Sequence, residues 1–223
     1  SRLFGFNLKQ NFAFPYFSRN IAEFWRRWHI SLSSWFKDYL YIPLGGSIGG
    51  TLMKTRNVYI IFIVSGFWHG ANWTFIAWGF LNACYLLPSF FSNQNRRYLN
   101  VVAEGHRFPT IIEFVQMLFT FVLITIAWVF FRSETIIDGI RYLYCLISKD
   151  LLVCPKLSDE LIILLILIFI FILCEWMQRD KQHALQFDGL NTSRIFRWPV
   201  YLAIMLSLFW FKGNQQDFIY FQF

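Results

Sequence analysis

Two long apolar runs decide what this chain can fold into. Ile111 to Phe131 holds a single charge, Glu113, near its start, and Leu161 to Trp176 holds a single charge, Glu175, near its end. Each approaches the roughly 20 residues that carry a helix across about 30 Å of hydrocarbon. Both lie deep in the chain, so neither reads as a signal peptide. Composition points the same way. Of the 223 residues, 57% are hydrophobic, 22% aromatic and only 15% charged, where soluble domains carry about a quarter charged residues. A soluble fold of this size has no room to hide 28 Phe, 10 Trp and 10 Tyr without large exposed apolar patches. A bilayer removes that difficulty, because the outside can be apolar too. The fold class expected is therefore all-α: a polytopic membrane helix bundle with interfacial and re-entrant or broken helices.

The net charge of +7 does not indicate nucleic acid. The basic residues sit in short stretches beside the apolar spans, as juxtamembrane charges do, and no nucleic-acid partner is expected; membrane lipid is. Cys84, Cys145, Cys154 and Cys174 have no paired spacing and His lies apart from them, so no metal site is expected. Small apolar packing residues are the simplest reading, with a Cys145–Cys154 disulfide left open because both fall in a loop assigned to the outer side.

Along the chain there is no repeat, linker or domain boundary, and residues 1–223 read as one membrane-embedded catalytic portion. The chain opens at Ser1 inside a polar, aromatic segment, which suggests that N-terminal helices of a fuller protein precede it. Asn20 to Ile42 reads as one amphipathic interfacial helix stopped by Pro43. On its wheel, Glu23, Arg26, Arg27, Ser33, Ser34, Lys37 and Asp38 share one face, with aromatic residues opposite. Pro43 to Thr55 reads as a Gly-rich loop whose PLGGSIGG, Pro43 to Gly50, is a turn between helices or a phosphate cradle; Lys54 and Arg56 lie just beyond that motif. Asn57 to Phe91 is apolar but broken around Gly66 to Asn72. Thr110 to Phe131, Glu160 to Met177 and Trp198 to Phe211 read as spanning helices, and Thr135 to Ser148 as a helix lying at the surface.

Charge bias orients these pieces. Ser92 to Pro109 has Arg96, Arg97 and Arg107 against Glu104, and Gln178 to Arg197 has Arg179, Lys181, Arg194 and Arg197 against Asp180 and Asp188. Short loops rich in Lys and Arg stay on the cytoplasmic side. The loop between them is nearly balanced and goes outside. Both ends of Asn57 to Phe91 then lie on one side, so that segment enters and returns, as a re-entrant hairpin or two short helices.

Two histidines carry the chemical signal. His29 falls on the apolar face of its segment, beside Trp25, Leu32 and Phe36, where either a packed, backbone-bonded ring or a functional one fits. His69 lies in SGFWHGANWTF, Ser65 to Phe75, between Gly66 and Gly70. Irregular backbone at membrane depth persists only inside protein or beside a watery cavity, and a titratable group at that depth is a functional candidate. An imidazole takes and returns a proton near neutral pH. Asn72 is placed to cap a helix starting at Trp73.

Three stretches together resemble the membrane-bound O-acyltransferase family, in its bacterial branch that includes the membrane subunit of alginate O-acetylation and the D-alanyl transfer protein of teichoic acid. They are NFAFPYF at Asn11 to Phe17, FWRRWHISLSSWFKDYLYIPLGG at Phe24 to Gly46, and RN…SGFWHGANWTFIAWG from Arg56 to Gly79. The ending FIYFQF is similar as well. Where similar proteins carry a basic residue after Gly46, this chain has Ser47, Ile48 and Gly49, which weakens a donor-phosphate role for that loop.

The resemblance implies that His69 is the catalytic residue and that His29 stands in the same reaction chamber. It implies a tunnel through a multi-pass protein of the bacterial cytoplasmic membrane, with no bound cofactor. The donor is then a thioester, acetyl-coenzyme A or an acyl-carrier protein, arriving from the cytoplasm. The acceptor is a hydroxyl of an extracytoplasmic polysaccharide, and a periplasmic polysaccharide-modifying partner acts beside the membrane protein. Acetyl is the expected acyl group; D-alanyl or lipid O-acyl transfer remains open. Trp68, Asn72, Ser65 and Trp25 are candidate substrate-binding residues, the first three because helical spacing brings them within reach of His69. A transporter would be expected to place more ionisable groups in the spans than this chain has. A non-catalytic scaffold has no need of the two histidines.

Overall fold

The computed structural model describes residues 4–6, 8–92, 96–148, 158–184, 186 and 194–210. They form helices α1 (Ile21–Arg27), α2 (Ile30–Phe36), α3 (Gly50–His69), α4 (Trp73–Phe91), α5 (Ile111–Arg132), α6 (Ile136–Ile147), α7 (Asp159–Met177) and α8 (Arg194–Trp210). The all-α class expected from the sequence is the one observed. α4 and α5 are each long and apolar enough to cross a membrane. Residues 1–184 form one compact unit, and α8 belongs to a second; it is an apolar helix with Pro199 near its start.

The segment expected as one interfacial helix is a hairpin. α1 ends at Arg27, and His29 takes a left-handed backbone, φ 42° and ψ 56°, before α2 begins. The single helical wheel fails for that reason, because residues before and after the turn no longer share a register. Glu23, expected on the polar face, is almost wholly buried, as is Arg19 just before α1, while Trp35, expected on the aromatic face, is exposed. α1 is inserted in the bundle instead: Ile21, Ala22 and Phe24 pack with Val58 and Phe62 of α3, Ala83 and Leu86 of α4 and Ile124 of α5. α2 continues as a π turn over Lys37–Tyr41.

The chain then turns through the Gly-rich loop, which ends earlier than the sequence suggests. α3 starts at Gly50, so α3 and α4 have 20 and 19 residues. At about 1.5 Å per residue they are full-length helices, not short ones. The spacing of small residues makes this antiparallel pair close. A Cβ on Gly66 would collide with the Phe75 carbonyl, and one on Gly79 with that of Phe62. The turn between the helices is set by Gly70, at φ 151° and ψ 157°, a region open in practice to glycine alone. Asn72 caps α4 by accepting from the Thr74 amide at 3.1 Å.

The Gly-rich loop behaves as a turn. Its Gly45, Gly46 and Ile48 amides bond the carbonyls of Ile42, Tyr41 and Gly45. Asn57, fully buried, donates to the carbonyls of Leu44 and Gly46 at 3.2 and 2.8 Å. Three of the loop's amides are thus engaged within the turn itself.

The C-terminal end of α7 meets the segment that precedes α5. Arg179 donates to the carbonyls of Val102, Ala103 and His106, and the Trp176 indole donates to that of Arg107 at 2.9 Å. α7 is otherwise bare: every side chain from Leu161 to Leu173 is exposed in this chain. α6 exposes Ile137, Ile140, Tyr144 and Ile147, in keeping with an amphipathic surface helix. Cys154 and the ending Phe218 to Phe223 lie outside the described residues.

Candidate active site

Each histidine stands at the tip of a hairpin, and the two tips meet. His69 is the last residue of α3, and His29 joins α1 to α2. Both line a cavity of about 270 Å³, with Trp25, Trp28, Leu32, Ser33 and Phe36 from the first hairpin, Ile61, Phe62, Ser65 and Trp78 from the second, and Trp128 and Phe131 from α5. Both rings are half-buried and so remain reachable. The cavity is at the α5–α6 end: Phe131 stands 5.0 Å from the His69 ring, and Asn72 Nδ2 donates to the Glu134 carbonyl at 3.0 Å.

Aromatic rings fix the imidazoles. Trp68, Phe131 and Trp78 lie 4.9, 5.0 and 5.5 Å from His69, and Phe12 lies 5.8 Å from His29. A left-handed backbone costs a non-glycine residue of order 1–3 kcal/mol, so His29 needs outside support. Asn11 to Ala13 provides it as a strap. The Ile30 amide donates to the Asn11 carbonyl and the Ala13 amide to that of Arg27, at 3.0 and 2.9 Å; the Ser31 amide donates to Asn11 Oδ1 at 3.0 Å.

Along α1, Arg19 and Arg27 enclose Glu23 with ion pairs of 3.1 and 2.7 Å, and Arg19 reaches Glu113 of α5 at 3.2 Å. Arg19 also donates to the Asn100 carbonyl at 2.8 Å and lies over the Tyr98 ring. The sequence reading put Glu23 and Arg27 on the polar face of an interfacial helix. The signal available was the four-residue spacing of Arg19, Glu23 and Arg27.

Of the candidate residues, the structure brings together His29, His69, Ser65 and Trp25. Trp68 touches His69 from outside the cavity, and Asn72 spends its side chain on the cap and the Glu134 carbonyl. The aromatic wall of Trp78, Trp128 and Phe131 was missed, because nothing in so aromatic a sequence distinguishes those rings. No carboxylate among the described residues lines the cavity. Among the described residues, no three His, Cys, Asp or Glu side chains gather as metal ligands.

An all-helical membrane protein with paired imidazoles in an aromatic cavity is the class this geometry defines. Residues 3–133 match the membrane-bound O-acyltransferase family, and the chain belongs to that family. It is 33% identical over 221 residues to a peptidoglycan O-acetyltransferase of Helicobacter pylori, covering 97% of this chain and 38% of that protein. Over 134 residues it is 43% identical to the probable alginate O-acetylase AlgI of Azotobacter vinelandii, covering 60% of this chain and 25% of that protein. A teichoic acid D-alanyltransferase of Bacillus subtilis is 32% identical over 126 residues, 52% of this chain and 31% of that protein. The chain thus spans well under half the length of each of these relatives.

Proposed function

We propose that this chain is the catalytic portion of a multi-pass O-acyltransferase of the bacterial cytoplasmic membrane, which moves an acyl group, acetyl first among candidates, from a cytoplasmic thioester to a hydroxyl outside the membrane. The observation that carries the reading is the convergence of His29 and His69, from separate hairpins, on one cavity. His69 is the general base. It takes the proton of the acceptor hydroxyl as that oxygen forms a bond to the thioester carbonyl carbon; the carbon–sulfur bond then breaks, and the proton passes to the departing thiolate. Such a base contributes about 10²–10⁴-fold, and the remainder comes from orientation and from stabilising the oxyanion. His29, facing the same space, polarises the carbonyl or orients the acceptor, and Ser65 and Trp25 contact substrate from the wall.

The family and the names of the relatives support an extracytoplasmic polysaccharide as acceptor, directly or through a periplasmic relay partner. Acetyl-coenzyme A and an acyl-carrier protein both suit the donor role. The test is His69→Ala in the full-length protein, reconstituted with a labelled thioester donor and acceptor. Transfer is expected to fall by at least about 10²-fold while helix content and yield hold. Wild-type turnover from a folded His69→Ala protein would remove this ring from the chemistry. Mass analysis of surface polysaccharide from cells with and without the intact gene identifies the acceptor.

A further inference from the structure

Two buried side-chain nitrogens lack any hydrogen-bond partner among the described residues, Trp25 Nε1 and His29 Nδ1. Both belong to the wall of the cavity that holds His69. Elsewhere in the described residues, every other buried side-chain nitrogen is satisfied. A buried donor left unpaired costs about 1–3 kcal/mol, and an unpaired group in a native fold calls for an explanation. The imidazole can present either a donor or an acceptor at Nδ1. The indole has no such choice: its nitrogen carries a hydrogen and only donates. The Trp25 ring is also held firmly, edge-on to Phe62 at 5.0 Å, to Phe24 at 5.5 Å and to Trp78 at 5.9 Å.

Resting on the acyl-transfer reading, we propose that the Trp25 Nε1–H hydrogen-bonds the thioester carbonyl oxygen and holds the oxyanion that forms there. The chemistry balances without a further reactant. The acceptor oxygen bonds to the carbonyl carbon, its proton goes to His69, the π pair moves onto the carbonyl oxygen and is met by the indole N–H, and collapse expels the sulfur as thiolate. The nitrogen itself is buried. An oxyanion donor works best where water is excluded and its position is set beforehand. The wall has to yield slightly for the carbonyl to come within about 3 Å, as catalytic contacts commonly tighten only once substrate binds. Trp25 and His69, from separate hairpins, then act on the two sides of one carbonyl reaction.

The experiment uses the full-length protein in detergent or proteoliposomes, with labelled thioester donor. Trp25→Phe keeps a ring in the pocket and removes the N–H. Replacement of Trp25 by β-(3-benzothienyl)alanine keeps the bicyclic shape and exchanges N–H for sulfur, which covers the case in which the phenyl variant does not fold. The expected result is a kcat lowered about 10²-fold in both, with the donor KM within a few-fold of wild type. A side chain that only packs would leave the benzothienyl protein at wild-type kcat, and that result overturns the assignment. A rise in KM at unchanged kcat also overturns it, since it marks uniform binding rather than transition-state stabilisation. If wild type itself transfers nothing, the acyl-transfer reading fails and this assignment with it. If wild type transfers and His69→Ala does not, while both Trp25 variants do, only the indole's role is lost.

Discussion

The two hairpins that deliver the histidines are built on opposite principles. α3 and α4 are long, regular and held by backbone contact, with Gly66 and Gly79 letting the helices approach until no side-chain carbon fits between them. α1 and α2 have seven residues each, too few to stand alone as helices. They are held by a buried charge network along α1 and by the Asn11–Ala13 strap at the turn between them. His69 thus ends a rigid strut, whereas His29 occupies a strained turn that depends on its surroundings. The difference teaches that one hairpin carries its own geometry and the other borrows it, and each half of that statement can be broken separately.

The largest effect is expected in the borrowed hairpin. Glu23 is 1% exposed and sits between two guanidinium groups. Removing one partner of a buried ion pair leaves uncompensated charge and costs about 3–5 kcal/mol. Glu23→Gln is therefore expected to lower the thermal midpoint of the purified protein more than any other substitution discussed here. Amides of residues 21–31 should gain hydrogen-exchange rate before those of α3 and α4. Equal loosening of both hairpins would show that the network holds the whole bundle instead.

Next comes the self-sufficient hairpin. Gly79→Ala forces a methyl against the Phe62 carbonyl, and overpacking of this kind costs about 1–3 kcal/mol. The expected signature is a lowered thermal midpoint of the purified protein. An unchanged midpoint would mean that the two helices have freedom to part. Asn72→Ala loses a helix cap and the bond to the Glu134 carbonyl, for about 1 kcal/mol, read as a smaller shift of the same midpoint.

What the sequence disclosed divides along the same line. The α3–α4 pair was legible as a chain that enters and returns, because basic segments flank it at both ends and its glycines and the Asn72 cap mark the break between. Its full length was not, because Lys54, Arg56 and Asn57 disguise the first turns of α3 as loop; only the fold reveals that Asn57 turns inward to hold the loop carbonyls. The class and the surface helix α6 followed from hydropathy and charge. The α1–α2 break did not, since nothing in FWRRWHIS stops a helix: there is no Gly or Pro, and the αL turn at His29 is imposed by Asn11 and Ala13 from outside the segment. The meeting of His29 with His69 could be suspected from the resemblance alone. The cavity walls that join them come from residues nearly a hundred positions apart, such as Phe36 and Trp128, a distance at which periodicity carries no information.

The smallest change in stability tests whether the turn at His29 is tolerated strain. At φ 42° a side chain other than glycine's costs about 1–2 kcal/mol. His29→Gly relieves that cost but adds about 1 kcal/mol of backbone entropy to the unfolded chain, and it gives up the contact with Phe12. The opposing amounts nearly cancel, so the thermal midpoint of His29→Gly is expected within about 1 kcal/mol of wild type. His29→Val removes the same imidazole but leaves a β-branched residue where its branches collide with the backbone, a true outlier, and it should be clearly less stable than His29→Gly. The gap between these two variants isolates the backbone from the ring, because both have lost the ring. If they unfold at the same temperature, the turn is not strained, the strap is not needed to hold it, and the contrast between the two hairpins disappears.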